Sequence, residues 1–191
     1  MNTIQKTLGS IVLGAMAMSA QAASISLVYN GPNPMGDNTD IILAAPNELL
    51  TFDVVMDFSD APTLGGGFDI VFDPSSLEFE SFTNNEIGED GFGRDPDEFD
   101  GLLESWAFGA FGGMTGPDIV GTVSFTYLGG LTEISLTATS GIGGPFVSFD
   151  NPGSMLDVDF GSVQVVPVPA AVWFLLSGLG ALLGVRNRKD A

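Results

Sequence analysis

The sequence predicts an all-β fold: an antiparallel β-sandwich of about nine strands, set between an N-terminal export signal and a C-terminal apolar span. Three observations carry this. Apolar and polar residues alternate with period two through the middle of the chain, clusters of Gly, Pro, Asn and Asp separate the alternating runs, and a largely apolar stretch lies near each end.

Residues 1–22 hold one charged side chain, Lys6, then a largely apolar run from Leu8 to Met18, and close on Ala20-Gln21-Ala22. That order is a signal peptide, with cleavage expected after Ala22 because Ala20 and Ala22 give the small-x-small pattern a signal protease admits. The apolar run is too short to span the ~30 Å hydrocarbon layer. The rival reading, a short core helix, lacks a polar face.

The domain is expected over residues 23–164. Its clearest alternation runs through Leu50–Phe58, Phe68–Phe72 and Gly121–Tyr127. Further strands are expected at Ser24–Tyr29, Leu77–Thr83, Glu104–Phe111, Glu133–Thr139, Phe146–Phe149 and Leu156–Gln164. Phe52, Val54, Phe68, Ile70, Phe72, Val123, Phe125, Ile134 and Leu136 fall on the inward positions. Trp106 and Phe108 share one strand face; they would stack on sugar rings if that face were exposed, and at strand spacing they also fit a core.

Of the 24 carboxylates, all except Asp190 lie between Ala23 and Val166, where Arg94 is the only basic residue. Nucleic acid is excluded as a partner, since phosphate binding needs clustered Lys and Arg. The chain has no Cys and no His, which removes thiol nucleophiles, disulfides, imidazole bases and the common zinc and copper ligands. The domain must therefore stand on its apolar core. Paired carboxylates suffice for glycoside hydrolysis, but with so many acids a suitable pair arises by chance.

Residues 84–101 are the least strand-like segment and hold Glu86, Glu89, Asp90, Asp95, Asp97, Glu98 and Asp100 among four glycines. They read as a solvated acidic loop. The alternative is a calcium site on Asp95, Asp97 and Asp100, the one ion the sequence raises in a chain otherwise expected to need no cofactor; the spacing does not match an EF-hand. Asp37, Asn38 and Asp40 form a weaker second cluster.

The last segment, residues 165–191, opens with Val165-Val166-Pro167-Val168-Pro169, continues apolar to Val185, and ends with Arg186, Asn187, Arg188 and Lys189. A transmembrane helix over 170–185 followed by a basic stop is expected. Its roughly 16 residues reach about 24 Å, slightly short of a typical hydrocarbon core. Arg186, Arg188 and Lys189 predict the C-terminus in the cytoplasm and the domain outside the inner membrane.

Two resemblances sharpen this reading. The tail, with Val166-Pro167-Val168-Pro169-Ala170, then the apolar helix, then the Arg-rich end, resembles the PEP-CTERM sorting signal of Gram-negative bacteria, in its Val-Pro-Leu-Pro-Ala branch with Val168 in place of Leu. The resemblance implies recognition by an exosortase-type sorting enzyme after passage through the secretion machinery, then transfer from a membrane-anchored precursor to the cell surface or an extracellular polysaccharide matrix. Within the domain, Gly67–Phe79, with its Asp73-Pro74 turn, and Gly121–Tyr127 followed by Glu133–Ala138 resemble cohesin-type β-sandwiches. Together the two resemblances imply a non-enzymatic structural or adhesive protein of the surface or matrix. The alternatives are a carbohydrate-binding module acting on exopolysaccharide through Trp106, and a carboxylate-based glycoside hydrolase.

Overall fold

Alternation becomes burial wherever one face of a strand meets the opposite sheet. In Glu48–Asp57 the side chains of Leu50, Phe52, Val54 and Met56 are wholly buried, while Leu49, Thr51, Asp53 and Val55 face out. Period-two geometry requires this of any half-buried strand. The computed structural model describes residues 23–32, 40–85 and 90–169, so the expected signal peptide with Ala20 and Ala22, the helix over 170–185 and the basic stop lie outside the described residues.

Among the described residues there are thirteen strands: β1 (Ala23–Tyr29), β2 (Ile41–Ala44), β3 (Glu48–Asp57), β4 (Thr63–Phe72), β5 (Leu77–Asn84), β6 (Gly91–Arg94), β7 (Asp97–Phe99), β8 (Leu102–Met114), β9 (Asp118–Tyr127), β10 (Thr132–Ala138), β11 (Val147–Ser148), β12 (Val158–Phe160) and β13 (Ser162–Pro167). Among the described residues there is no helix, hence none able to cross a membrane.

The strands form two sheets. Sheet A runs β12-β1-β3-β9-β5; sheet B runs β2-β13-β10-β4-β8-β6, with β11 added on β4 and β7 on β8. Most neighbours are antiparallel, as expected, but β1·β12 and β2·β13 are parallel. The expected single strand Leu156–Gln164 is two strands, β12 in sheet A and β13 in sheet B. The change of sheet falls at Gly161, whose amide donates to the Ile25 carbonyl at 2.9 Å while its carbonyl accepts the Leu136 amide at 3.0 Å.

Every inward position expected from the sequence is buried, and the core they form is aromatic. Phe68 stacks on Trp106 with centroids 5.4 Å apart, Phe72 meets Phe125 at 5.0 Å, and Phe146 bridges Phe58 and Phe108 at 5.1 and 5.4 Å. Room for the Trp106 indole comes from Gly121 on the facing strand, where a Cβ would overlap the indole ring.

The Asp73-Pro74 turn forms as expected. The Asp73 carboxylate accepts the Ser75 amide at 2.9 Å and the Ser75 and Ser76 hydroxyls at 2.7 and 3.2 Å. Residues 91–94 and 97–99 of the expected acidic loop instead pair with β8, because the long β8 leaves a free edge that short segments can cover. The domain also extends past residue 164. Val165 is wholly buried, and Val166 and Pro167 continue β13 beside Leu43 and Ala44 of β2.

Candidate functional site

The outer face of sheet B over β6, β7 and β8 gathers exposed aromatic side chains. Phe92 of β6 lies opposite Gly109 of β8, and because the adjoining Phe108 points into the core, Phe92 and Gly109 share the outer face. Phe111, two residues on, turns the same way and meets Phe92 with centroids 5.4 Å apart. Gly109 leaves room for this ring, since a Cβ there would meet the Phe92 ring and the Leu64 carbonyl. The sequence Gly91-Phe92-Gly93 facing Phe108-Gly109-Ala110-Phe111 thus leaves two large rings on a bare floor, Phe92 half exposed and Phe111 78% exposed.

A second apolar row crosses the same face farther along. Val71 of β4 pairs with Leu102 of β8, which pairs with Phe99 of β7. Phe99 is 53% exposed. Beside it a cleft of about 650 Å³ opens between the β7 and β5 edges, lined by Phe79, Phe99 and Leu128 with Glu78, Glu98 and Asp100 around them. Its exposed lining is mainly polar and acidic, with the rings set into it, which suits a cationic side chain of a partner.

Between the two apolar rows lies a polar brace. The Ser105 amide donates to the Asp69 carboxylate at 2.7 Å, and the Ser105 and Thr139 hydroxyls lie 3.3 Å apart. Ser105 takes a left-handed conformation, φ 63°, at the register shift between Phe68 and Ile70, which turns its amide toward Asp69. Arg94 closes the brace from β6, donating to the Ser105 carbonyl at 2.9 Å and to the Asp97 carboxylate at 2.7 Å. The sole cation of the domain is therefore engaged in holding its own fold.

These contacts decide two sequence expectations. Trp106 is fully buried against Phe68 and Phe82, so it offers no face to a sugar and the carbohydrate reading loses its residue. Its strand face is the inward one, because the outward positions of β8 there carry Ala107 and Gly109, against Gly143 and Phe92 respectively. Asp95, Asp97 and Asp100 do not converge as a calcium site. Asp97 is engaged by Arg94, Asp95 accepts weakly from Asn84 at 3.5 Å, and Asp100 lies at the cleft beyond β7. Among the described residues no group of three carboxylates is placed to hold a metal.

Of the expected sorting motif, Val166, Pro167, Val168 and Pro169 are described and Ala170 is not. Val166 and Pro167 are paired in β13, and the Val168 amide donates to the Ala44 carbonyl at 3.0 Å. The described part of this stretch is thus held as an extension of sheet B.

Two carboxyl groups, Asp57 and Asp73, are held below the usual carboxylate range, in each case first by a hydroxyl hydrogen bond, from Ser59 and Ser75, and then by the same serine's amide. This stabilises the ionised form, the reverse of what a general acid needs.

The fold is cohesin-like. A cohesin module from a Clostridium perfringens family 33 glycoside hydrolase superposes with a TM-score of 0.53 at 10% identity, over 77% of this chain and 98% of that one. A chain from an interface mutant of a type II cohesin–X-dockerin complex of Acetivibrio cellulolyticus gives 0.54 at 14% identity, over 76% of this chain and 99% of that one. A non-cellulosomal cohesin from the archaeon Archaeoglobus fulgidus gives 0.50 at 14%, over 76% and 92%. No family model matches the chain, and no curated protein matches it in sequence. The aromatic pair Phe92 and Phe111 is not among the residues expected from the sequence, although alternation of single glycines with Phe on two neighbouring segments signals it.

Proposed function

We propose that the chain is a non-enzymatic, protein-binding module of the cell surface or extracellular matrix, exported by its N-terminal signal and released or transferred through its C-terminal sorting tail. The observation that carries the binding role is the exposed aromatic surface of sheet B, formed by Phe92, Phe99 and Phe111. Large apolar groups kept in water on a rigid sheet are the mark of an interaction surface, and aromatic residues dominate such contacts. One structural neighbour is solved in a cohesin–X-dockerin complex, so a cohesin-like fold is a scaffold on which a partner protein docks. The acidic lining of the cleft favours a partner with basic side chains.

The export reading rests on residues 1–22 and 165–191. In it the precursor is anchored in the inner membrane with the domain outside, is met by an exosortase-type enzyme, and is passed to the surface or the exopolysaccharide matrix.

The test compares wild type with the double variant Phe92→Ser/Phe111→Ser in the native host. Intact masses are taken for the membrane-retained form and for the form recovered from surface and medium. A surface form lacking the apolar tail supports sorting, and loss of the variant from the matrix fraction into the medium supports adhesion through this face. A mature chain still ending at Ala191 overturns sorting, and equal matrix retention of the variant overturns the adhesive site.

A further inference from the structure

The β5/β7 cleft lies where the sandwich is open, and a row of core residues ends there in a carboxylate. Ile70 of β4 pairs with Leu103 of β8, which pairs with Glu98 of β7. Paired residues share a strand face, and Ile70 and Leu103 are wholly buried, so Glu98 takes the inward position of the edge strand. Across the opening, Phe79 of β5 pairs with the buried Phe125 and faces inward from sheet A. An acid that continues an aliphatic row keeps its charge by reaching the water of the cleft.

The acids lining this cleft differ from their neighbours. Asp73 accepts from Ser75 and Ser76, Glu80 from Thr126, and Asp97 from Arg94. The side chains of Glu78, Glu98 and Asp100 have no hydrogen-bond or ion-pair partner among the described residues. The domain has no cation left for them, since Arg94 is engaged with Asp97 and the Ser105 carbonyl. The cleft walls are tied together at the turns. The Phe72 amide donates to the Gly101 carbonyl at 3.0 Å, the Leu77 amide to the Asp73 carbonyl at 2.9 Å, and the Leu128 amide to the Ser76 carbonyl at 2.8 Å. Walls fixed in this way are preformed, which lowers the ordering cost of binding.

Three unengaged carboxylates call for positive charge, and the rings select its kind. Among the described residues no three carboxylates are placed to hold a metal ion, and a cleft of about 650 Å³ exceeds what an ion fills. Phe99 is 53% exposed and Leu128 42%, so the occupant also has apolar surface to cover. Arginine meets both needs. Its methylene stem covers apolar surface, and its planar, weakly hydrated guanidinium stacks on an aromatic face while donating in pairs to carboxylates. The lysine ammonium is a compact, strongly hydrated point charge. We propose that the β5/β7 cleft is a socket for an arginine side chain of the partner protein, with Glu78, Glu98 and Asp100 as acceptors and Phe99 as the platform. The proposal rests on the reading of the chain as a protein-binding module, and gives the Phe92/Phe111 face a second contact that selects among partners.

The probes are the peptide acetyl-Gly-Arg-Gly-amide and its lysine and norleucine counterparts. Each is titrated at low ionic strength into the isotope-labelled full chain in dodecyl maltoside and followed by amide NMR shifts. The expected result is saturable shifts at Glu78, Glu98, Phe99 and Leu128 with the arginine peptide, roughly threefold weaker binding of the lysine peptide, and none of the norleucine peptide. Glu98→Gln/Asp100→Asn should abolish the shifts and lower matrix retention in the native host, whereas Phe92→Ser/Phe111→Ser should leave the shifts intact. Equal binding of the arginine and lysine peptides, or shifts spread over the whole acidic surface, overturns the socket. Self-association of Glu98→Gln/Asp100→Asn in ultracentrifugation, with the arginine shifts retained, assigns the inward acid to protection of a sheet edge and overturns it as well. Retention that falls for Phe92→Ser/Phe111→Ser but not for Glu98→Gln/Asp100→Asn overturns the socket as a partner contact and leaves the protein-binding reading standing. Retention unchanged in both variants overturns that reading and this proposal with it.

Discussion

The amide of Ser105 donates to the carboxylate of Asp69 at 2.7 Å across the irregular β4·β8 register, and both residues are buried. This bond joins the strand that carries Trp106 and Phe108 to the centre of sheet B. Removing the acceptor strands a buried N–H, whose desolvation costs about 1–3 kcal/mol. Asp69→Ala should therefore destabilise the domain by about 2 kcal/mol, and Asp69→Asn, which keeps an acceptor oxygen, by less. Urea denaturation of both variants checks the order. If the two lose equal stability, the hydrogen bond is not what Asp69 supplies.

Trp106 has the opposite profile from the one its composition invites. The indole is enclosed by Phe68, Phe82 and Gly121, and its N–H has no hydrogen-bond partner among the described residues. Trp106→Ala should cost on the order of 3–5 kcal/mol through the cavity it leaves. Trp106→Phe should cost far less, because it also deletes a buried donor left without an acceptor. Thermal unfolding separates the two, and near-equal losses would show that the N–H is satisfied by water.

Much of this arrangement is legible in the sequence. Phe52, Val54, Phe68, Ile70, Phe72, Val123, Phe125, Ile134 and Leu136 follow strict alternation in strands long enough to show it, and all are buried. The Asp73-Pro74 turn is legible because its bonding is local. β6 and β7 are not: four and three residues carry too little period, and their acids mimic a loop. Their strand character comes from the edge of β8, a partner supplied by the next stretch of chain and not by their own pattern. Trp106 shares a face with Phe108 as its spacing says, but period two does not reveal which face looks inward when Ala107 and Gly109 occupy the other. The parallel pairings of β12 and β13 depend on closure of the sandwich, which no local pattern records.

Stability should fall at both ends of the pH scale, for different residues. Asp57 and Asp73 are held below the carboxylate range by serine hydrogen bonds, so their contribution is complete above an unfolded value of about 3.9 and is lost as pH falls through the folded value. Tyr127, raised by burial, and Tyr29, raised by burial and then by the Glu48 charge, behave the other way. Their contribution is complete below pH ~10 and is lost as pH rises through the folded values. Melting temperature against pH should show both limbs. Tyr127→Phe should flatten the alkaline limb and Ser75→Ala the acid one. An alkaline limb unchanged in Tyr127→Phe would assign it elsewhere.

Ions should act on this domain through screening. Nearly every carboxylate of the chain lies between Ala23 and Val166, and the one cation there is bound to Asp97 and the Ser105 carbonyl. Like charges on one surface oppose the compact state, and salt shortens their reach to ~10 Å at 0.1 M. Melting temperature should rise with sodium chloride and level off as that reach falls below the spacing of the acids. Calcium and magnesium at matched ionic strength should then raise it equally, because Asp95, Asp97 and Asp100 are directed to separate surroundings and do not form a ligand set. A specific site would instead give stabilisation that saturates with calcium and exceeds that of magnesium, following the logarithm of ion concentration over its dissociation constant. Calorimetric scans across a calcium series with a magnesium control read the difference directly. A saturating calcium response that survives Asp97→Asn would place the site on other carboxylates, while one abolished by that substitution would mean that calcium displaces Arg94 and remodels the brace beneath the aromatic face.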